Sequence, residues 1–187
     1  IKLADRLHNM RTIDPLPEAK RRRIALETLD IYAPLANRLG IAWMKTELED
    51  LAFRQLHPAE YDDVSQRVTK KHQEQEAYLA EVKQRIQTKL ADAEVPAEVS
   101  GRAKHYYGIW AKMVRQNIPF DQVYDIIAVR VITDSVRNCY AVLGAIHSLW
   151  TPVPGRFKDF IAMPKANGYQ SLHTTVIGPG GERVECQ

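Results

Sequence analysis

The chain has 187 residues, of which 45% are apolar and 26% charged, the composition of a soluble globular protein with room for one medium domain or two small ones. No apolar run is long enough to cross a bilayer and the N-terminus lacks a secretory pattern, which leaves a cytoplasmic location as the expectation. Two cysteines, Cys139 and Cys186, stand far apart outside any CxxC spacing, so neither a disulfide framework nor a zinc site is implied. Residues 1–100 carry 16 Lys+Arg against 17 Asp+Glu, whereas residues 101–187 carry 10 against 6. A small basic excess confined to the second part is too sparse for a DNA-binding surface and suits a pocket that holds a few phosphates.

Taken in chain order, the first hundred residues read as helical. Ile24, Ile31, Leu35 and Leu39 recur at helical spacing, with Pro34 expected to kink the segment or begin a new helix and Gly40 to end it. Met44, Leu48, Leu51 and Leu56 form the next stripe, which Pro58 stops. A long stripe follows through Tyr61, Val64, Val68, Leu79, Val82, Ile86 and Leu90, polar in its middle, as in a partly exposed connecting helix that Pro96 ends. From Val99 the texture changes. Residues 104–116 read as a helix, 123–132 as a buried strand rich in β-branched residues, and 136–149 as a helix. Residues 157–163 and 172–177 read as strands, and the turn at 178–181 leads into a last strand over 183–187. The expected class is α+β, an all-helical N-terminal part followed by an α/β domain on a mixed sheet. The chain stops inside a predicted strand, which suggests a piece of a longer protein.

Four clusters in the second half hold residue types that nucleotide chemistry uses. Lys104, Gly108 and Lys112 are spaced four apart on one helical face, and two ammonium groups there could grip a triphosphate, although an ordinary solvated face has the same spacing. Asp125 heads an apolar strand that also carries Arg130; a carboxylate there either caps a neighbour or binds a metal, because burying a lone charge is costly. Arg156, Lys158, Asp159, Lys165, Asn167, Tyr169 and His173 crowd a loop between two strands, where Tyr169 could stack on a base or simply pack. Glu185, between Val184 and Cys186, should face away from both. The basic run at residues 20–23 reads as a solvated helix start.

In order and at family spacing, GRAKHYYGIWAKM (101–113), YDIIAVRVI (124–132), GRFKDFIAMPKANGYQSLHTTV (155–176) and VECQ (184–187) resemble the synthetase motifs of the RelA/SpoT family. KLADRLHNMRT, residues 2–12, resembles the last motif of that family's hydrolase domain. Five long matches in one order are far more specific than a short pattern. The resemblance implies a helical hydrolase remnant over 1–58, a helical linker over 59–96 and a nucleotidyltransferase-like synthetase domain over 97–187. It also implies a GTP/GDP diphosphokinase that moves pyrophosphate from ATP to the 3′-hydroxyl of GDP or GTP, making the alarmone (p)ppGpp of the stringent response.

By the same resemblance Asp125 and Glu185 hold magnesium, with Glu185 also helping to deprotonate the hydroxyl. Arg102 and Arg130 sandwich adenine, and Lys104 and Lys112 contact the ATP phosphates. Tyr169 stacks on guanine, with Asn167 and His173 nearby and Lys158 and Lys165 near the phosphates. Gly108 departs from the family's usual serine, leaving a hydroxyl contact to phosphate missing. In the hydrolase motif the resemblance makes Asp5 a manganese ligand, with Asn9 and Thr12 lining that nucleotide pocket. The other ligands are expected upstream of residue 1, so hydrolysis is not expected of this stretch alone. The intact KLADRLHNM with the basic RFKD at 156–159 resembles the bifunctional synthetase–hydrolase branch. Ribosome and uncharged tRNA are expected to act only through further C-terminal domains, and no membrane or DNA partner is expected. Two alternatives stand beside this reading: a nucleotidyltransferase that adds a nucleotide to an acceptor, and a non-catalytic guanine-nucleotide-binding regulatory module.

Overall fold

The computed structural model describes residues 1–101, 105–124 and 127–187, the Tyr124 side chain excepted. These residues form two compact units. The first comprises Ile1–Thr69, the described part of Lys104–Phe120, and Ala166–Gly168. The second comprises the described parts of Lys70–Ala103 and Asp121–Lys165, with Tyr169–Gln187.

The first unit is helical: α1 (Lys2–Arg11), α2 (Glu18–Glu27), α3 (Ala33–Arg38), α4 (Ala42–Leu56), the start of α5 (Pro58–Asp92) and α6 (Tyr106–Gln116). Its core joins Leu3, Leu7, Met10 and Ile13 to Ala25, Ala33, Ala36 and the α4 residues Met44, Leu48, Ala52 and Leu56. Between α2 and α3 a π-helical turn, Thr28–Tyr32, immediately precedes Pro34, whose ring cannot accept an α-helical fit over the preceding turn and which has no N–H to donate. Buried Thr28 satisfies its hydroxyl by donating to the Ile24 carbonyl at 2.7 Å.

The wide turn overturns the expected stripe. Ile31, Leu35 and Leu39 are 55%, 41% and 61% exposed, while Ala25, Thr28, Ala33 and Ala36 lie at 0–1%. Small side chains bring the helices together, and the large ones point outward. Gly40 follows α3 at φ +75°, a conformation that glycine adopts without Cβ strain, as expected of a helix end.

Phe53 of α4 is fully buried in a cluster of rings, stacked on Trp110 of α6 at 4.9 Å and edge-on to Tyr61 at 5.7 Å and Tyr107 at 6.0 Å. Three residues before it, Asp50 accepts the backbone N–H of Tyr107 at 2.9 Å. Burial pushes this carboxyl up to about 6, against the opposing effect of hydrogen bonds from the Tyr107 and Tyr106 backbones.

The second unit is built on a mixed sheet with α8 (Val136–Leu149) and the latter part of α5 on one face. The strands β1 (Ala97–Gly101), β2 (Ile127–Thr133), β3 (Thr151–Pro152), β5 (Leu172–Ile177) and β6 (Arg183–Cys186) are ordered β1-β2-β6-β5-β3, and β4 (Lys158–Asp159) pairs with β5. β2 and β6 run parallel; the other pairings are antiparallel. Val82, Ile86 and Leu90 of α5, Val142 and Ile146 of α8, and Val99, Val129, Val176, Val184 and Cys186 of the strands form the core.

Expected and observed elements coincide for α8 and β5. Three expectations need correction. The segment read as one strand over 123–132 starts in the last two residues of a short helix, α7 (Phe120–Tyr124), and the strand itself, β2, begins at Ile127. The strand read over 157–163 shrinks to Lys158–Asp159, and β1 was not foreseen.

The Cys186 thiol is buried in this core, which pushes it up to about 12. Cys139 is only half-buried. Iodoacetamide at pH 8 is therefore expected to label Cys139 in the native protein and to reach Cys186 only after denaturation, because the thiolate is the nucleophile. Peptide mass mapping checks this, and equal native labelling of both thiols would contradict the core placement.

Candidate active site

Glu185 sits on β6 between two hydrogen-bonded neighbours, opposite Ala128 of β2 and Thr175 of β5. Val184 and Cys186 on either side of it are 0% and 2% exposed, so alternation turns the Glu185 carboxylate to the face away from α8, as the sequence implied. One oxygen accepts from the Gln187 amide at 2.6 Å. Arg130, two residues beyond Ala128, is exposed on the same face, paired in register with Ser100 of β1. His173, two residues before Thr175, shares that face too, and its partner across the β4–β5 ladder is Lys158. One side of one sheet thus carries a carboxylate, an arginine, a lysine and an imidazole.

The loop between β4 and β5 is organised by side chains. Asp159 accepts the backbone N–H groups of Ile161 at 2.9 Å and Ala162 at 2.8 Å, and its other oxygen accepts the Tyr140 hydroxyl at 2.9 Å. These donors, the Ala162 N–H first, hold the Asp159 carboxyl below the usual carboxylate range, and the same contact raises the Tyr140 hydroxyl. A predicted strand becomes a turn here because the carboxylate offers these N–H groups an acceptor other than a strand partner.

Farther along, the loop closes on itself. Phe160 N–H donates to the Ser171 carbonyl at 2.9 Å and Lys165 N–H to the Tyr169 carbonyl at 3.2 Å. The Tyr169 hydroxyl and His173 Nε2 are 2.8 Å apart, and Phe160 meets both rings edge-on, at 6.0 Å and 5.1 Å. Lys165 Nζ lies 4.6 Å from the Phe160 ring centre and 5.1 Å from that of Tyr169, within cation–π range. Tyr169 is therefore a ring held at its hydroxyl and by perpendicular ring contacts, with a cation beside it. Phe160 and Asp159 were not assigned roles from the sequence. The available signal was an aspartate followed at once by an aromatic residue at the end of a short strand.

The remaining predicted residues belong to the first unit or lie beyond description. Lys112 is half-buried on α6, and Gly108 on the same helix has room for a side chain, since a Cβ there would meet nothing within 4 Å. Asn167 donates its amide to the Asn37 carbonyl at 3.0 Å. Asp5, Asn9 and Thr12 occupy the exposed side of α1, opposite buried Leu3, Leu7 and Met10; Asn9 donates to Asp5 at 3.3 Å and Thr12 to the His8 carbonyl at 3.0 Å. Arg102, Lys104 and Asp125 lie outside the described residues, so the joint metal site expected of Asp125 and Glu185 is represented by Glu185 alone. The strand that follows Asp125 in sequence, β2, is nonetheless the parallel neighbour of the strand that carries Glu185. Among the described residues no group of three or more His, Cys, Asp or Glu side chains could hold a metal, and no helix is long and apolar enough to cross a membrane.

The second unit is an α/β domain on a mixed sheet. The small alarmone synthetase 1 of Bacillus subtilis, in a crystal structure bound to its product pppGpp, shares this fold with a TM-score of 0.50 at 23% identity, over 65% of this chain and 71% of that one. The model of the region found in RelA and SpoT proteins matches residues 101–187, and that of an HD domain matches residues 1–42. Along its whole length the chain is 57% identical to a GTP pyrophosphokinase of Myxococcus xanthus, 52% to the bifunctional (p)ppGpp synthase/hydrolase SpoT of Escherichia coli and 49% to the bifunctional RelA of Mycobacterium tuberculosis. It spans about a quarter of the length of these relatives, 25%, 27% and 25% respectively. Residues 101–187 thus carry the region found in RelA and SpoT proteins, where the synthetase-like motifs lie.

Proposed function

We propose that the chain carries a pyrophosphate-transfer site that moves the β,γ-diphosphate of ATP to the ribose 3′-hydroxyl of GDP or GTP, releasing AMP and forming (p)ppGpp. The 3′-oxygen bonds to the β-phosphorus, the bond from that phosphorus to the α,β-bridging oxygen breaks, and the hydroxyl proton leaves to a base. The observation that carries this reading is the placement of Glu185, Arg130, His173 and Lys158 on one face of one sheet. Such a transfer needs positioning and charge neutralisation more than covalent help from the protein.

In this reading Glu185 accepts the hydroxyl proton and, with Asp125, supplies hard oxygen donors suited to Mg2+. Bound magnesium would neutralise charge on the transferred group. Arg102 and Arg130 flank adenine, and Lys104 and Lys112 contact its phosphates. Tyr169 provides a platform for guanine, with Asn167, His173, Lys158 and Lys165 around that nucleotide. We assign residues 1–58 to a hydrolase part, 59–96 to a linker and 97–187 to the synthetase part. Asp5, with Asn9 and Thr12, is then one wall of a Mn2+-dependent alarmone hydrolase site in the longer protein.

Product analysis tests the proposal. With ATP and Mg2+, the chain is expected to release AMP in equal amount to the (p)ppGpp formed, from GDP and GTP in parallel reactions. Release of pyrophosphate with a nucleotide added to the acceptor would point to the other transferase chemistry, and guanine-nucleotide binding without AMP to a regulatory module.

Tyr169→Ala is expected to weaken GDP binding by about 1–3 kcal/mol, the usual worth of stacking a base on an aromatic ring. Isothermal calorimetry measures this directly. An unchanged Kd would make the ring part of the loop's packing with Phe160 and His173, not a platform.

A further inference from the structure

α4 buries Met44, Leu48, Ala52, Phe53 and Leu56, yet places a carboxylate on its packed side: the Asp50 side chain is 21% exposed. Asp50 Oδ1 accepts the Tyr107 N–H at 2.9 Å, in the first turn of α6. The N-cap residue of the helix, His105, approaches the same carboxylate, with Nδ1 at 4.0 Å from Asp50 Oδ2. A residue from another helix therefore does the work of a cap, and its charge complements the positive end of the α6 dipole. One turn along α4, Phe53 stacks on Trp110, one turn along α6. α6 is thus fixed at two successive turns, by a carboxylate and by a ring, which sets both its position along the axis and its rotation.

α6 also carries Lys112 and follows directly on the segment 101–105. We infer that Asp50 is a positioning residue for the ATP side of the reaction: by capping α6 it fixes where Lys112 meets the triphosphate. The inference rests on the pyrophosphate-transfer reading given above. It also explains why the phosphates would be left to side chains. The N–H groups of the α6 N-terminus, a ready anion site in many proteins, already face a carboxylate.

The test compares Asp50→Ala and Asp50→Asn in the whole chain. Asp50→Ala is expected to raise KM for ATP by about tenfold or more, the scale set by slight misplacement of a binding group, with KM for GDP changed less than about twofold. Asp50→Asn keeps an oxygen for the Tyr107 N–H, so its KM for ATP should lie much closer to that of the parent. The split between the two KM values is a readout that a purely structural role would not move. Lys45, Glu47, Glu49 and Arg54 of α4, Tyr61 of α5, and His105, Tyr106 and Tyr107 at α6 surround the carboxylate. Its raised pKa means that protonation favours the folded state, a gain present below the unfolded value and lost as pH rises through about 6. Below pH 6 the neutral carboxyl keeps a carbonyl oxygen for the Tyr107 N–H, as Asp50→Asn does, so protonation of this group should not loosen α6. The KM for ATP of the parent relative to that of Asp50→Asn should therefore stay the same on either side of pH 6.

Equal rises in both KM values in Asp50→Ala would overturn the inference, as would a KM for ATP as high in Asp50→Asn as in Asp50→Ala. If the parent forms no AMP at all, the transfer reading fails separately. Hydrogen exchange and calorimetry then decide on Asp50. Faster amide exchange over 106–109 with weaker ATP binding in Asp50→Ala would support the role, and unchanged exchange and binding would sink it.

Discussion

Replacing Glu185 by glutamine is expected to cut AMP formation from ATP and GDP by about 10²–10⁴-fold, the usual contribution of a positioned general base, with little change in thermal stability. The change is isosteric and keeps an oxygen at the position that accepts the Gln187 amide. Val184 and Cys186, which hold β6 in the sheet from the other face, are untouched. The amide cannot take the 3′-hydroxyl proton and is a poorer donor to a hard cation. Activity within about threefold of the parent, with a folded variant by circular dichroism, would remove Glu185 from the chemistry and leave it as a polar residue on an open sheet face.

The largest effect on stability is expected at Phe53. Its ring is fully buried and contacts His57, Tyr61, Tyr107 and Trp110, so truncation leaves a cavity bounded by other rings that cannot all collapse inward. Phe53→Ala should cost about 3–5 kcal/mol, measured by urea unfolding, with the fluorescence of Trp110 altered in the native baseline because it loses its stacking partner. A cost below about 1 kcal/mol would mean that the cluster repacks and that α6 is held mainly by other contacts.

The sequence made much of the second unit legible because its elements have clean periods and clear ends. Ser135 caps α8 by accepting from Asn138 N–H, and β6 alternates between buried and more exposed residues, which is why the orientation of Glu185 could be read from its two neighbours. Legibility failed where a single residue changes the local rule. Asp159 diverts backbone N–H groups from a strand into a turn. Pro119, just before Phe120, sets up a helical turn ahead of β2 within a run of strand-forming residues. In the first unit the π-helical turn at Thr28–Tyr32 breaks the 3.6-residue count, so Ile31, Leu35 and Leu39 keep helical spacing but lose the core to alanines.

The roles of the site residues were carried by family motifs rather than by periodicity. Tyr169 beside Lys165 and His173 was recognisable as a polar, aromatic loop. The contacts that hold its ring required the fold, because Phe160 and Tyr140 meet the loop only once β4 and α8 are in place. Asp50 was passed over for a similar reason. Within α4 it reads as one more surface carboxylate, and only the arrival of α6 gives it a partner.

The most direct test follows the label. With ATP carrying ³²P at the γ position, unlabelled GDP and Mg2+, the label should move to the guanosine nucleotide as part of a 3′-diphosphate, with unlabelled AMP as the other product, and Glu185→Gln should slow the movement by about 100-fold or more. Label that stays on ATP, or leaves it as free phosphate or pyrophosphate without entering the guanosine nucleotide, would contradict pyrophosphate transfer at this site.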